Sequence, residues 1–254
     1  MTSEIPSVKE ATVPAILIHG IPDTHRVWDG VRRHLTRRDV EAWDLPGFGA
    51  TPPPGFDSTK EEYVDWLIDR LEQVGEPVDL VGHDWGCIFT ARIASLRPDL
   101  VRTWAGGNGP ISAQYVWHPL ARIWQDPVEG DRFMDELEPK PFAKDLAAGF
   151  DVPAELAEDM VSRVDGPMKD SILRLYRSAL TMGAEWEPEL ANMTAQALVF
   201  WGALDPACQI EFGEKLGRAI RASRVLRLDC NHWTVLQKPA EVAAALEAHW
   251  NRPE

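Results

Sequence analysis

Short apolar runs that end in glycine or a polar turn recur along the chain, separated by segments whose apolar positions fall three and four residues apart. AILIHG at 15–20 has the form of a buried strand running into a turn. VEAWDLP at 40–46, VDLVGHD at 78–84, VRTWAGG at 101–107, ALVFWGALD at 197–205 and VLRLD at 225–229 repeat that form, so six strands are predicted. Between them the period becomes helical. Val31 and Leu35 mark a first short helix. Tyr63, Trp66, Leu67 and Leu71 form a stripe opened by Thr59, with Glu62 three residues on as a capping box. Gly86 to Arg97 reads as a helix stopped before Pro98, and Pro239 to Trp250 as a C-terminal helix opening on an N1 proline. Strands alternating with helices imply βαβ crossovers, hence an α/β fold with a mostly parallel central sheet flanked by helices.

The alternation stops between about Ile111 and Leu190, where helical patterns punctuated by Pro119, Pro127, Pro139, Pro141, Pro153, Pro167 and Pro188 contain no strand signal. The predicted organisation is a core domain from residues 1–110 and 191–254 with a helical cap at 111–190. The segment before Val13 has room for one further short strand. At 254 residues the chain can bury one sizeable core. Its formal net charge of −14 repels nucleic acid and anionic lipid, so neither is an expected partner. No apolar run approaches the roughly 18–20 residues of a membrane span, and MTSEIPSVKEATVP lacks the signature of a signal peptide, which makes the cytoplasm the expected location. Cys87, Cys208 and Cys230 are too scattered for a disulfide framework and form no CxxC, so neither a metal nor a cofactor is expected. Eleven tryptophans fit a large apolar cavity or an aromatic core equally well.

VGHDWG at 81–86 places Asp84 between a buried strand and a helix, with a glycine two residues to either side. Small flanking residues let the chain turn sharply and leave the central side chain exposed beside a helix N-terminus. Taken alone, Asp84 is a helix N-cap. Asp205 in WGALDP and His232 in NHW also follow predicted strands, however, so three ionisable groups converge on one sheet edge in the order nucleophile, acid, base. HGIP at 19–22 makes a tight turn whose Ile21 N–H can join that of Trp85 as an oxyanion hole.

HGIP, DLPGFG at 44–49, GHDWG at 82–86, WGALDP at 201–206 and DCNHWTVLQKPAEV at 229–242 together resemble the α/β-hydrolase superfamily, and within it the epoxide hydrolases. GHDWG alone is shared by epoxide hydrolases and haloalkane dehalogenases. The resemblance implies the α/β-hydrolase fold, whose sheet usually has eight strands, and implies that Pro22 is a cis-proline aiming the Ile21 N–H inward. It also implies a small apolar electrophilic substrate and water as partners. An aspartate nucleophile fits this independently: attack on a saturated carbon gives a stable ester, whereas acyl transfer to a carboxylate gives a high-energy anhydride.

Opening an epoxide needs an acid of high pKa, which the family supplies from cap tyrosines. LRLYRSAL around Tyr176 resembles the second of these motifs, so Tyr176 is the expected acid. At the position resembling the first, counted back from ARIWQDP, stands Leu120. Tyr115 or His118 can fill the vacant role, or both only line the cap together with Trp117 and Trp124. A dehalogenase would instead hold a halide with indole N–H groups, from Trp85 and from Trp117 or Trp124, since Ile21 stands where an asparagine would be needed. A third reading is a hydrolase-like scaffold that only binds a ligand. Cys87 and Tyr63 are expected in the core, and Asp44 is expected to shape its turn with Gly47 and Gly49. With six strands placed, an exposed sheet edge leaves room for a homodimer.

Overall fold

The computed structural model describes residues 13–252; the segment before Val13, where an extra strand is expected, lies outside the described residues. Six strands form one parallel sheet: β1 (Ala15–Ile18), β2 (Val40–Trp43), β3 (Val78–His83), β4 (Val101–Gly107), β5 (Gln196–Gly202) and β6 (Arg224–Leu228), in the order β2-β1-β3-β4-β5-β6. The inner strands β1 and β3 are buried along their whole length, as parallel strands covered on both faces must be, while the edge strands β2 and β6 alternate or stay half exposed.

Because every strand runs the same way, their carboxyl ends meet on one edge. Ile18 pairs with Gly82, Gly82 with Gly106, and Gly106 with Val199. The residues just beyond, Gly20, Asp84, Asn108 and Asp205, therefore share that edge, where parallel α/β sheets place their ligands.

Two predicted strands are shorter than their apolar runs. The 40–46 run ends at Trp43, and Leu45–Pro46 pairs with Gly49–Ala50 instead. The 197–205 run leaves the sheet at Gly202, freeing Asp205 in a loop. The Thr59–Glu62 capping box is present at the start of helix Lys60–Val74, which Gly75 ends at φ +81°. Tyr63, Leu67 and Leu71 face the core, but Trp66 is only half-buried, beneath the Arg70 guanidinium, which also covers Trp43. The C-terminal helix is Pro239–Trp250, as predicted.

From Asn108 to Ala195 the described residues hold helices and no strand. The prolines that punctuate this stretch start helices rather than break them: Pro119–Gln125, Pro127–Glu136 and Pro139–Phe150 each open on one, and Pro167 is the second residue of Gly166–Ser178. Three of these four are capped by the side chain that precedes them, the exception being Pro139–Phe150. His118 accepts the Ala121 N–H, Asp126 those of Val128 and Glu129, and Asp165 that of Met168.

Candidate active site

Asp84 links β3 to the helix Trp85–Leu96 with φ +52° and ψ −122°, a backbone conformation that L-residues rarely adopt. The flanking glycines make it reachable. A Cβ on Gly82 would overlap the Gly86 carbonyl, and one on Gly86 would overlap the carbonyl of Ile18 in β1. Asp84 N–H donates to the Gly107 carbonyl at 2.9 Å, so β4 holds the bend in place.

The Asp84 carboxylate meets different partners on its two oxygens. Oδ2 accepts the Ile21 N–H at 2.8 Å, and Ile21–Pro22 is a cis peptide. Oδ1 lies 3.5 Å from His232 Nε2, whose Nδ1 is 2.8 Å from Asp205 Oδ2. Asp205 Oδ2 also accepts from Asn108 Nδ2 at 2.7 Å, and Oδ1 accepts the N–H groups of Ala207 and Cys208, both at 2.9 Å. His83 Nε2 donates to the His232 carbonyl at 2.9 Å and so fixes the loop that carries the imidazole.

Burial opposes charge on all three of these groups, and their mutual attraction outweighs it. His232 is held well above the ordinary imidazole pKa, chiefly by Asp205 and then by Asp84. Asp84 and Asp205 are held below the ordinary carboxylate value, with His232 the main counterweight to their desolvation. His83 is pushed down to about 4 by burial and then by the charge of His232, so it stays neutral beside the imidazolium.

A cavity lies between this edge and the helical segment. All the predicted site residues line it except Asp205, which stands behind His232. Trp117 stacks on Trp85 with ring centroids 5.7 Å apart, closing one wall. Tyr176, on the Gly166–Ser178 helix, sets its ring edgewise against Trp85, Trp117 and Trp124. Burial and then the Asp84 charge push the Tyr176 phenol well above its ordinary pKa, although the Trp85 indole favours its ionised form.

The two candidates for the vacant donor position differ. The Tyr115 hydroxyl lies 3.1 Å from the Ala207 carbonyl and donates to it, with Cys208 Sγ 3.7 Å away. His118 caps its helix through Nδ1, 3.2 Å from the Ala121 nitrogen. Leu120 lines the same cavity. Trp124 Nε1 is buried and has no hydrogen-bond partner among the described residues.

Several residues here carry no motif. Asn108 is legible only as the first polar residue after β4. Trp233 and Phe150 pack edgewise about the His232 ring, and Cys208 lies beside it. Asp205, Cys208 and His232 place ligand-type atoms within 4.8 Å of one another, but burial and then Asp205 push the Cys208 thiol up to about 12, leaving it a weak metal ligand at neutral pH. Elsewhere, Asp44 binds the His25 backbone N–H at 2.7 Å and its ring at 2.8 Å, Cys87 is buried in its helix, and Tyr63 donates to the Pro46 carbonyl at 2.8 Å. Among the described residues no helix is long and apolar enough to cross a membrane.

A strained elbow at the carboxyl edge of a parallel sheet, with an acid and a histidine following in chain order, defines an α/β hydrolase. The chain belongs to the alpha/beta hydrolase family, whose pattern matches residues 15–245. It is 26% identical to lipase LipV of Mycobacterium tuberculosis over 92% of this chain and 91% of that one. It is 30% identical to epoxide hydrolase 3 of Siraitia grosvenorii, over 58% of this chain and 44% of that one. Its fold is similar to the crystal structure of haloalkane dehalogenase DbeA from Bradyrhizobium elkani, with a TM-score of 0.73 at 19% identity, over 94% of this chain and 92% of that one.

Proposed function

We propose that this hydrolase converts small apolar epoxides to vicinal diols through an ester on Asp84, with residues 111–190 acting as a cap over the cavity. The observation that carries the reading is the pair of partners on that carboxylate. The Ile21 N–H takes one oxygen, and the His232–Asp205 pair stands beside the other. With Oδ2 held by Ile21, Oδ1 is the atom free to attack.

In the first half-reaction an electron pair on Oδ1 forms a bond to a ring carbon. The ring C–O bond breaks towards its oxygen, which takes the Tyr176 proton. Esterification removes the Asp84 charge that helped hold His232 protonated, so the imidazolium returns a proton to the tyrosinate and becomes a base. His232 then takes a proton from water, and the hydroxide adds to the ester carbonyl. The oxyanion forms at Oδ2, against the Ile21 and Trp85 N–H groups. Collapse expels the diol oxygen, which takes the imidazolium proton. The Asp84 carboxylic acid returns its own proton to His232 and so restores the starting state.

One observation supports a second reading, haloalkane dehalogenation: the buried, unpartnered Trp124 N–H lines the cavity and has the chemistry of a halide donor. Both readings share the ester. Single-turnover conversion of 1,2-epoxypropane in oxygen-18 water tests it: the first diol should carry no label, because its new oxygen comes from Asp84. Label in that diol rules the ester out.

A further inference from the structure

We infer that Gln237 is a positioning residue that sets how long a substituent the cavity admits, by tying the end of the helix Pro139–Phe150 to the loop that carries His232; the inference rests on the epoxide reading above.

Gln237 closes the short helix Thr234–Gln237, just after His232, and both ends of its side-chain amide are used. Oε1 accepts the Asn231 N–H at 2.8 Å, and the Gln237 backbone N–H donates to the Trp233 carbonyl at 2.9 Å, so the residues on either side of His232 are bound to it. Nε2 donates to the carbonyls of Phe150 and Asp151, at 2.9 Å and 2.5 Å. Those carbonyls stand where a helix runs out of its own N–H partners, and Asp151 turns the chain away at φ +55°. The task needs an acceptor and a donor at one tip. A glutamate of the same length would take the Asn231 N–H but has no hydrogen for the two carbonyls when ionised.

The helix held in this way is a wall of the cavity. Phe142, Leu146 and Phe150, spaced by four and so on one face, all line it. Phe150, at the tied end, sets its ring edgewise against Trp233, with centroids 5.2 Å apart, and against His232 at 6.0 Å. The place of that ring is set from its backbone, which the Gln237 amide holds. With the tie cut, the wall is free to recede, and a longer alkyl chain fits beside the reacting carbon.

Gln237→Glu keeps the contact with Asn231 and loses the donor, whereas Gln237→Met loses both. In each variant the ratio of kcat/KM for 1,2-epoxyhexane to that for 1,2-epoxypropane is expected to rise by about tenfold. Phe150→Ala should raise the ratio at least as far, and adding Gln237→Glu to it should change the ratio by less than about twofold, because the amide acts through that residue. Equal losses on both epoxides, a shift confined to Gln237→Met, or a full further shift in the Phe150→Ala background overturns the inference and leaves the epoxide reading standing. If the unaltered protein opens neither epoxide, the epoxide reading falls, and the tie itself is decided by nuclear Overhauser contacts between the Phe150 and Trp233 rings. These should be present in the unaltered protein and lost in Gln237→Glu; their persistence in the variant overturns the inference without reference to activity.

Discussion

Asn108 Nδ2 donates to Asp205 Oδ2 at 2.7 Å, joining the residue that follows β4 to the acid that follows β5. The amide is itself oriented, because Thr234 Oγ1 donates to Asn108 Oδ1 at 3.2 Å. The same Asp205 oxygen faces His232 Nδ1, so Asn108 fixes the rotamer that aims the imidazole. Asn108→Ala is expected to slow ester hydrolysis by about tenfold while leaving ester formation within about twofold, measured as separate phases of a single turnover.

Tyr176→Phe keeps the ring contacts with Trp85, Trp117 and Trp124 and removes the proton that the opening oxygen needs. Ester formation should fall by about 100-fold or more. Thermal unfolding should move little, since the ring contacts that pack this residue are all kept.

The two half-reactions should respond differently to pH. Asp84 is held below the ordinary carboxylate value, against its own burial, by His232, so ester formation should stay flat from about pH 8 down to about pH 5. Hydrolysis needs neutral His232. Once the ester has removed the Asp84 charge, the imidazole pKa falls, and hydrolysis should slow as pH drops through that lowered value. Quenched-flow measurement of ester and diol across this range separates the two profiles.

Asp23 provides a stability test outside the reaction. It is buried, accepts the Trp233 indole N–H at 2.9 Å, and burial raises its pKa to about 7, against the pull of that hydrogen bond. An acid raised in the folded state contributes stability that is present below its unfolded pKa and is lost as pH rises through the folded one. Between about pH 4 and pH 7 the protein should therefore lose stability, by an amount on the order of 4 kcal/mol from this group. Asp23→Asn keeps an acceptor for Trp233 and should remove that dependence, so denaturant midpoints at pH 5 and pH 8 should draw together.

The leaving group separates the epoxide reading from the dehalogenase reading. Bromide release from 1-bromobutane is expected to be at least about 100-fold slower than opening of 1,2-epoxypropane, because Tyr176 serves an oxygen that must gain a proton and bromide needs none. The opposite ranking, abolished by Trp124→Phe, would make halide the natural leaving group.

The core of this fold is legible because its strands are buried on both faces and read as unbroken apolar runs, and because Gly82 and Gly86 mark a bend that few other residues permit. Asp205 and His232 follow from predicted strand ends taken together with their order after Asp84. Asn108 was not legible, since nothing local distinguishes a polar residue after a strand from a turn residue; its role exists only through contact with Asp205. The parts of Tyr115 and His118 were ambiguous for the same reason. Tyr115 and His118 are three residues apart, and only the Ala207 carbonyl and the Ala121 N–H, partners distant or hidden in helix capping, tell them apart. Trp66 fell on the predicted stripe yet lies at the rim, because the covering Arg70 gives it a half-buried place that periodicity does not distinguish from the interior.

Trp85 belongs to two assemblies at once. It is the first residue of the helix that follows Asp84, while its indole bears on Trp117 and Tyr176 from the segment above. On the ester reading, the contacts of that one indole therefore tie the proposed proton donor, Tyr176, to the helix that follows the proposed nucleophile. On that reading, a change that loosens the aromatic seam between the two layers would misplace the acid relative to the carboxylate without touching either group.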